Sequence, residues 1–177
     1  MDLVDRYEEV AAGFTARLDA VNDDQWSNTT PCTDWDVGQL VDHVITIQRG
    51  IPEGLGVPVD DGADAQATWR AVREAALTAL RRPGVLEGTM RGIRGDDVPV
   101  EMALIPRLSD LTVHTWDLAR ATGGDERLNP EIAAIVLERL RPHDEALRQS
   151  GSFGPKVDPP PGADAQVELL CFLGRRP

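Results

Sequence analysis

Cysteine is scarce in this chain of 177 residues. Cys32 and Cys171 are far apart and too few for a disulfide framework or a cysteine-ligated zinc site. Lysine is scarcer: Lys156 stands alone among eighteen basic residues, and the bias to Arg, Ala, Asp and Gly points to a GC-rich genome. Basic charge is outweighed by thirty acidic residues, for a net charge of −12. A nucleic-acid backbone or an anionic membrane would be repelled over most of such a surface, so neither is expected as a partner. No apolar run approaches the length of a membrane span, and the opening Met1-Asp-Leu-Val-Asp5 is acidic where a signal peptide is basic. A cytoplasmic location is expected. Internal repeats and low-complexity blocks are also missing.

What remains is an ordinary globular composition, 41% hydrophobic and 27% charged, at a length that suits one domain over residues 1–177. Leu3, Val4, Tyr7, Val10, Ala11, Phe14 and Leu18 recur every three or four residues and predict a first amphipathic helix over about residues 2–21. The polar link that follows carries Trp26, expected to plug one end of the core. A second helix should start at Val37, because Asp36 is a good N-cap, Gln39 completes a capping box, and Trp35 with Leu40 can form a hydrophobic staple. The stretch 51–62, rich in Pro and Gly, reads as loop. A third helix is expected from about Ala63 to Arg82, stopped by Pro83-Gly84. Residues 85–99 read as either an irregular loop or a short hairpin.

A fourth helix is expected over Val100 to Thr122, ended by Gly123-Gly124 and either starting at Pro106 or kinked there. A fifth, with Pro130 in its first turn, should end near Arg141-Pro142 or continue with a kink toward Gln149. The apolar segment from Val167 to Leu173 must dock on the bundle to escape water. The fold class predicted from these elements is all-α, a helical bundle with an extra C-terminal helix and a docked tail.

On the fourth helix Asp110 and His114 lie four residues apart and point from one face, with Asp117 one turn on. This polar line runs along the margin of a leucine stripe that includes Leu104, Leu108, Leu111 and Leu118. His43 falls on the edge of the apolar arc of the second helix. Facing helices about 8–10 Å apart let side chains from both converge on one ion. His43, Asp110 and His114 would then form a two-histidine, one-carboxylate metal site with open positions, the mark of a catalytic site. The plain alternatives are a surface hydrogen bond for Asp110 and His114, and a satisfied core-edge ring for His43. Asp117 can orient a ligand, accept a proton as a catalytic group, or pair on the surface with Arg120 or Arg127. Cys32 stands just before the second helix, where the helix dipole would favour its thiolate and burial against Trp35 would oppose it. His143 is expected on the surface.

Three stretches carry a family resemblance: Pro31-Cys-Thr-Asp-Trp-Asp-Val-Gly-Gln-Leu-Val-Asp-His43, Asp110-Leu-Thr-Val-His-Thr-Trp-Asp-Leu-Ala-Arg-Ala-Thr-Gly123 and Leu169-Leu-Cys-Phe-Leu-Gly-Arg-Arg-Pro177. Together they resemble an actinobacterial family of metal-binding proteins in the DinB-like superfamily. Its best-known relative is the N-terminal domain of mycothiol-dependent maleylpyruvate isomerase. The resemblance implies a DinB-like up-and-down four-helix bundle holding a divalent metal, usually zinc or nickel, with His43 as first ligand and His114 as last. Asp110 stands where the isomerase has glutamate; its shorter arm would draw the metal toward the fourth helix or reach it through water. The isomerase also carries a further C-terminal domain, which argues against carrying its activity over.

Two functions are then in view. One is an enzyme in which the metal activates a low-molecular-weight thiol such as mycothiol for attack on a small electrophile, as a transferase or isomerase-like catalyst. The other is a binding protein that holds a metal or small ligand without turnover. A buried polar network without metal is a third, structural reading. The superfamily leaves a homodimer open, and nothing in the residues speaks for it.

Overall fold

The computed structural model describes residues 1–32, 34–92, 95–149 and 154–177. Thr33 of the first motif, Ile93 and Arg94 of the expected hairpin, and residues 150–153 lie outside this description. Among the described residues the protein is all-α apart from one small two-stranded sheet. Its internal contacts divide it into two compact units, Met1–Glu126 and Arg127–Pro177.

The first unit holds α1 (Leu3–Asp19), α2 (Val37–Gly54), α3 (Ala65–Leu80), the strands β1 (Thr89–Arg91) and β2 (Asp97–Pro99), and α4 (Val100–Thr122). Each long helix packs mainly on two others, giving a ring in the order α1, α4, α2, α3. Consecutive helices α1 and α2 thus stand across a diagonal, while α2 and α4, the two helices with candidate ligands, are neighbours. The α1 periodicity buries Val4, Tyr7, Val10, Ala11, Phe14 and Leu18. Helix α2 begins as its cap residues dictate: the Asp36 side chain accepts from the Gln39 amide at 2.8 Å and Gln39 Oε1 accepts from the Asp36 amide at 3.0 Å. Helix α4 ends at Gly123, whose φ of +69° is the left-handed conformation that glycine adopts without strain.

Three expectations are corrected. Residues 51–54 are not loop: α2 runs on to Gly54 with Pro52 inside it. A proline in the last turn forfeits one backbone bond, and burial of Ile51 and Pro52 offsets that loss. Pro106 does not begin α4, which is continuous from Val100. The carbonyl deprived of its donor there belongs to Met102, a residue 68% exposed, so water can satisfy it. Trp26 is only half-buried and does not plug the core; Trp69 and Trp116 are the fully enclosed tryptophans. Between α3 and α4 the hairpin option is the one realised, with Met90 paired to Val98.

The second unit contains α5 (Pro130–Leu140), a short 3-10 turn over Arg141–His143, α6 (Asp144–Gln149) and α7 (Ala165–Phe172). Asn129 caps α5 through the amides of Glu131 and Ile132. The helix breaks at Arg141-Pro142 and resumes as α6, which combines the two endings expected for it. Helix α7 packs on α5, burying Leu169, Leu170 and Cys171 within this unit as Ile132, Ala133, Val136 and Leu137 are buried on α5. Among the described residues no helix is long and apolar enough to cross a membrane.

Candidate metal centre

The seam between α2 and α4 brings the three predicted ligands together. His43 Nε2 donates to Asp110 Oδ1 at 3.0 Å, and His114 Nε2 lies 3.4 Å from the same oxygen. One donor atom from each of the three residues lies within 4.8 Å of the others. Donors bound at about 2.0–2.1 Å in a tetrahedron stand roughly 3.3 Å apart, so these separations suit a common ion with little rearrangement. The shorter aspartate arm therefore reaches the point between both rings. Asp110 Oδ2 is buried and has no hydrogen-bond partner among the described residues. Leaving such an acceptor unmet costs about 1–3 kcal/mol, and a cation beside it would remove the cost. The residues fit a divalent metal on these grounds.

Asp117 is fully buried, not on the surface. Its Oδ2 accepts from His114 Nδ1 at 2.9 Å, which leaves His114 Nε2 directed at Asp110. A carboxylate behind a histidine in this way fixes the ring's tautomer and orientation. His143 is exposed, as expected, and remote from this cluster in sequence.

The electrostatics are those of a proton-holding cluster. Burial alone would push the Asp110 carboxyl up, but hydrogen bonds from His114 and His43 outweigh it and hold the group at about 2. Burial likewise opposes charge on His114, yet Asp110, Asp117 and Cys32 together hold its imidazole well above the usual histidine range. For Asp110 the folded value lies below the ordinary carboxyl value of 3.8. Its stabilising contribution is therefore complete above about pH 4 and is lost as pH falls through about 2. In chelator-treated protein, the stability advantage of wild type over Asp110→Asn should shrink by about 2 kcal/mol between pH 5 and pH 2 in urea titrations. An advantage that stays constant over that range would show that the two histidines do not hold the carboxylate.

Two further residues reach the site, and the sequence reading gave them no such place. Cys32 Sγ lies 3.4 Å from Asp117 Oδ2 and 4.0 Å from His114 Nδ1, so Cys32, His114 and Asp117 form a second potential ligand group sharing His114. The Trp35 ring lies against His43, centroids 4.5 Å apart and tilted by 34°, and 5.8 Å from His114. Both come from the link between α1 and α2, pinned to the end of α4 by Asn28 Nδ2 on the Ala121 carbonyl and Gln25 Nε2 on the Thr122 carbonyl. Thr30 shapes the tip by accepting from the Cys32 amide and donating to the Trp35 carbonyl. The available signal was Cys32 and Trp35 lying eleven and eight residues before His43, which has meaning only once the link is known to fold back.

Residues 7–55, which include most of α1, all of α2 and His43, match the family described as the Mycothiol maleylpyruvate isomerase N-terminal domain. Along 180 aligned positions the chain is 31% identical to uncharacterized proteins of Mycobacterium tuberculosis strains CDC 1551 / Oshkosh and H37Rv, an alignment that covers 99% of this chain and 98% of each relative. No solved structure matches it. By these matches the chain belongs to the mycothiol maleylpyruvate isomerase N-terminal domain family.

Proposed function

We propose that the protein is a metal-dependent enzyme that prepares a low-molecular-weight thiol, of the mycothiol type, for attack on a small electrophile. The observation that carries this reading is the convergence of His43, Asp110 and His114 beside an unmet buried oxygen. Held by those three residues, zinc or nickel would supply Lewis acidity and keep a thiol as thiolate at neutral pH. His43 and His114 present Nε2 from facing helices, and Asp110 offers the charge between them. Asp117 serves as a positioning residue: its Oδ2 accepts a hydrogen bond from Nδ1–H of His114 and so leaves Nε2 for the ion. Trp35 covers one side of His43 and shields it from water.

The choice of an enzyme over a metal store rests on the open valences that three protein ligands leave, and on a cavity further along the same seam. The test is conjugation of mycothiol to monobromobimane or 1-chloro-2,4-dinitrobenzene by metal-loaded and chelator-treated protein. A rate at least about tenfold above the metal-free protein is expected, since thiolate supply alone contributes that much near neutral pH. Full metal occupancy with no such rate for either electrophile would reject the enzyme and leave a metal-binding protein.

A further inference from the structure

One turn before Asp110 on α4, and one to three turns beyond His43 on α2, the seam opens into a cavity of about 320 Å³ closed on its third side by the hairpin. Arg107 is its charged wall. The residue is 5% exposed, yet its Nε is buried with no partner among the described residues, and Nη1 reaches only the Ala103 carbonyl, at 2.8 Å. Among the described residues no carboxylate forms an ion pair with it. A buried guanidinium with donors unspent is costly unless something negative meets it. Burial presses against its charge, and Tyr7 and Asp110 offset this only in part.

The surroundings are shaped to seat that guanidinium closely without pairing its charge. A Cβ on Gly50 would come within 2.9 Å of Arg107 Nη2, so glycine there lets the group lie against α2. Gly54 lets the hairpin close in: a Cβ on it would stand 2.6 Å from Met90 Cε and 2.8 Å from the Arg91 carbonyl. That approach puts exposed Arg91 on the lining, where exposed Glu53 is the single acidic residue among those described. Two cations face one anion, in a protein whose net charge is −12. Along α4, Arg107 and Asp110 are about 4.5 Å apart in rise, a separation that a short-chain acid spans.

We infer that this cavity is an oxyanion subsite, in which Arg107, with Arg91 at the mouth, takes the carboxylate of a small acidic ligand whose other end reaches His43, Asp110 and His114. A guanidinium presents paired donors that match the two oxygens of a carboxylate. The placing of the reactive end rests on the metal-dependent reading above, whereas the anion chemistry stands without it.

Succinate, with uncharged succinamide as control, separates the two. Each is titrated into metal-loaded and chelator-treated protein while the Arg107 Nε–H resonance, identified by its loss in Arg107→Lys, is followed by nitrogen-15 NMR. A saturable shift with succinate alone is expected in both forms. Arg107→Lys should weaken binding at least about tenfold, the scale of a lost charge-assisted pair. Arg91→Gln, at an exposed position that leaves the fold intact, should weaken it about threefold, as expected for a solvent-facing charge. Gly50→Ala, which displaces the guanidinium, should also weaken it. No shift in either form, an equal shift with succinamide, or affinity indifferent to both Arg91→Gln and Gly50→Ala would overturn the subsite. Succinate binding that needs the metal and ignores these variants would assign the anion to the metal instead. Persistent succinate binding in a protein that takes up no metal would sink the metal reading and leave the subsite standing.

Discussion

His43→Ala and His114→Ala should each lower bound metal to background and reduce the melting temperature, as checked by elemental analysis and thermal unfolding on the same samples. An ion bound to the native state alone stabilises by mass action, about 4 kcal/mol when free metal exceeds the dissociation constant a thousandfold. Removing either ring leaves two donors and forfeits most of that. Asp110→Ala should act in the same direction more weakly, because both rings remain on facing helices, while His143→Ala, at an exposed position, should do neither. Truncating half-buried His43 or buried His114 also leaves a void, so the wild type with excess chelator is the needed comparison. Should complete metal removal leave its melting temperature unchanged, the coupling between ion and fold is refuted. Should His114→Ala retain one equivalent of metal, the centre lies elsewhere.

A second large effect falls on the opposite side of the bundle. Trp69 on α3 is fully buried, with its ring edge-on to Phe14 of α1 at 4.9 Å between centroids. Its Nε1 donates to Thr15 Oγ1 at 2.8 Å, and that hydroxyl donates in turn to the Ala11 carbonyl at 2.7 Å. Trp69→Ala empties the α1–α3 seam and is expected to cost about 3–5 kcal/mol in denaturant unfolding. Trp69→Phe should cost less, losing the indole hydrogen bond but keeping a ring. Because that seam contributes no ligand, folded Trp69→Phe should still bind one equivalent of metal. Loss of metal from Trp69→Phe with the fold intact would mean that the two seams are coupled.

The parts of this fold that could be read from the sequence are those fixed by neighbours along the chain. Asp36 and Gln39 announce α2, Gly123 ends α4, and the spacing of Asp110 and His114 puts both on one face, each a matter of three or four residues. The meeting of His43 with that face required only that α2 and α4 pack together. The parts that could not be read depend on contacts far apart in sequence. Cys32 and Trp35 reach the centre because Asn28 and Gln25 bind carbonyls 93 and 97 residues away. Burial of Asp117 depends on what covers α4, which no local pattern records. No local pattern on α4 marks Arg107; only the glycine at Gly50 and the fold of the hairpin give it a cavity to face.

The ring order of the bundle has a consequence for how the protein is made. Helix α1 leaves the ribosome first, yet one of its two packing partners, α4, is the last of the four to be synthesised. Helices α2 and α3 can pair early, but His43 waits for partners 67 and 71 residues downstream. A nascent chain therefore offers no assembled ion site until α4 is out, and single imidazoles on it are poor competitors for metal. Contacts of such long sequence separation also favour slow, late assembly. On the metal-dependent reading proposed above, metallation would wait for the finished bundle, and a chain truncated before α4 should emerge both unfolded and metal-free.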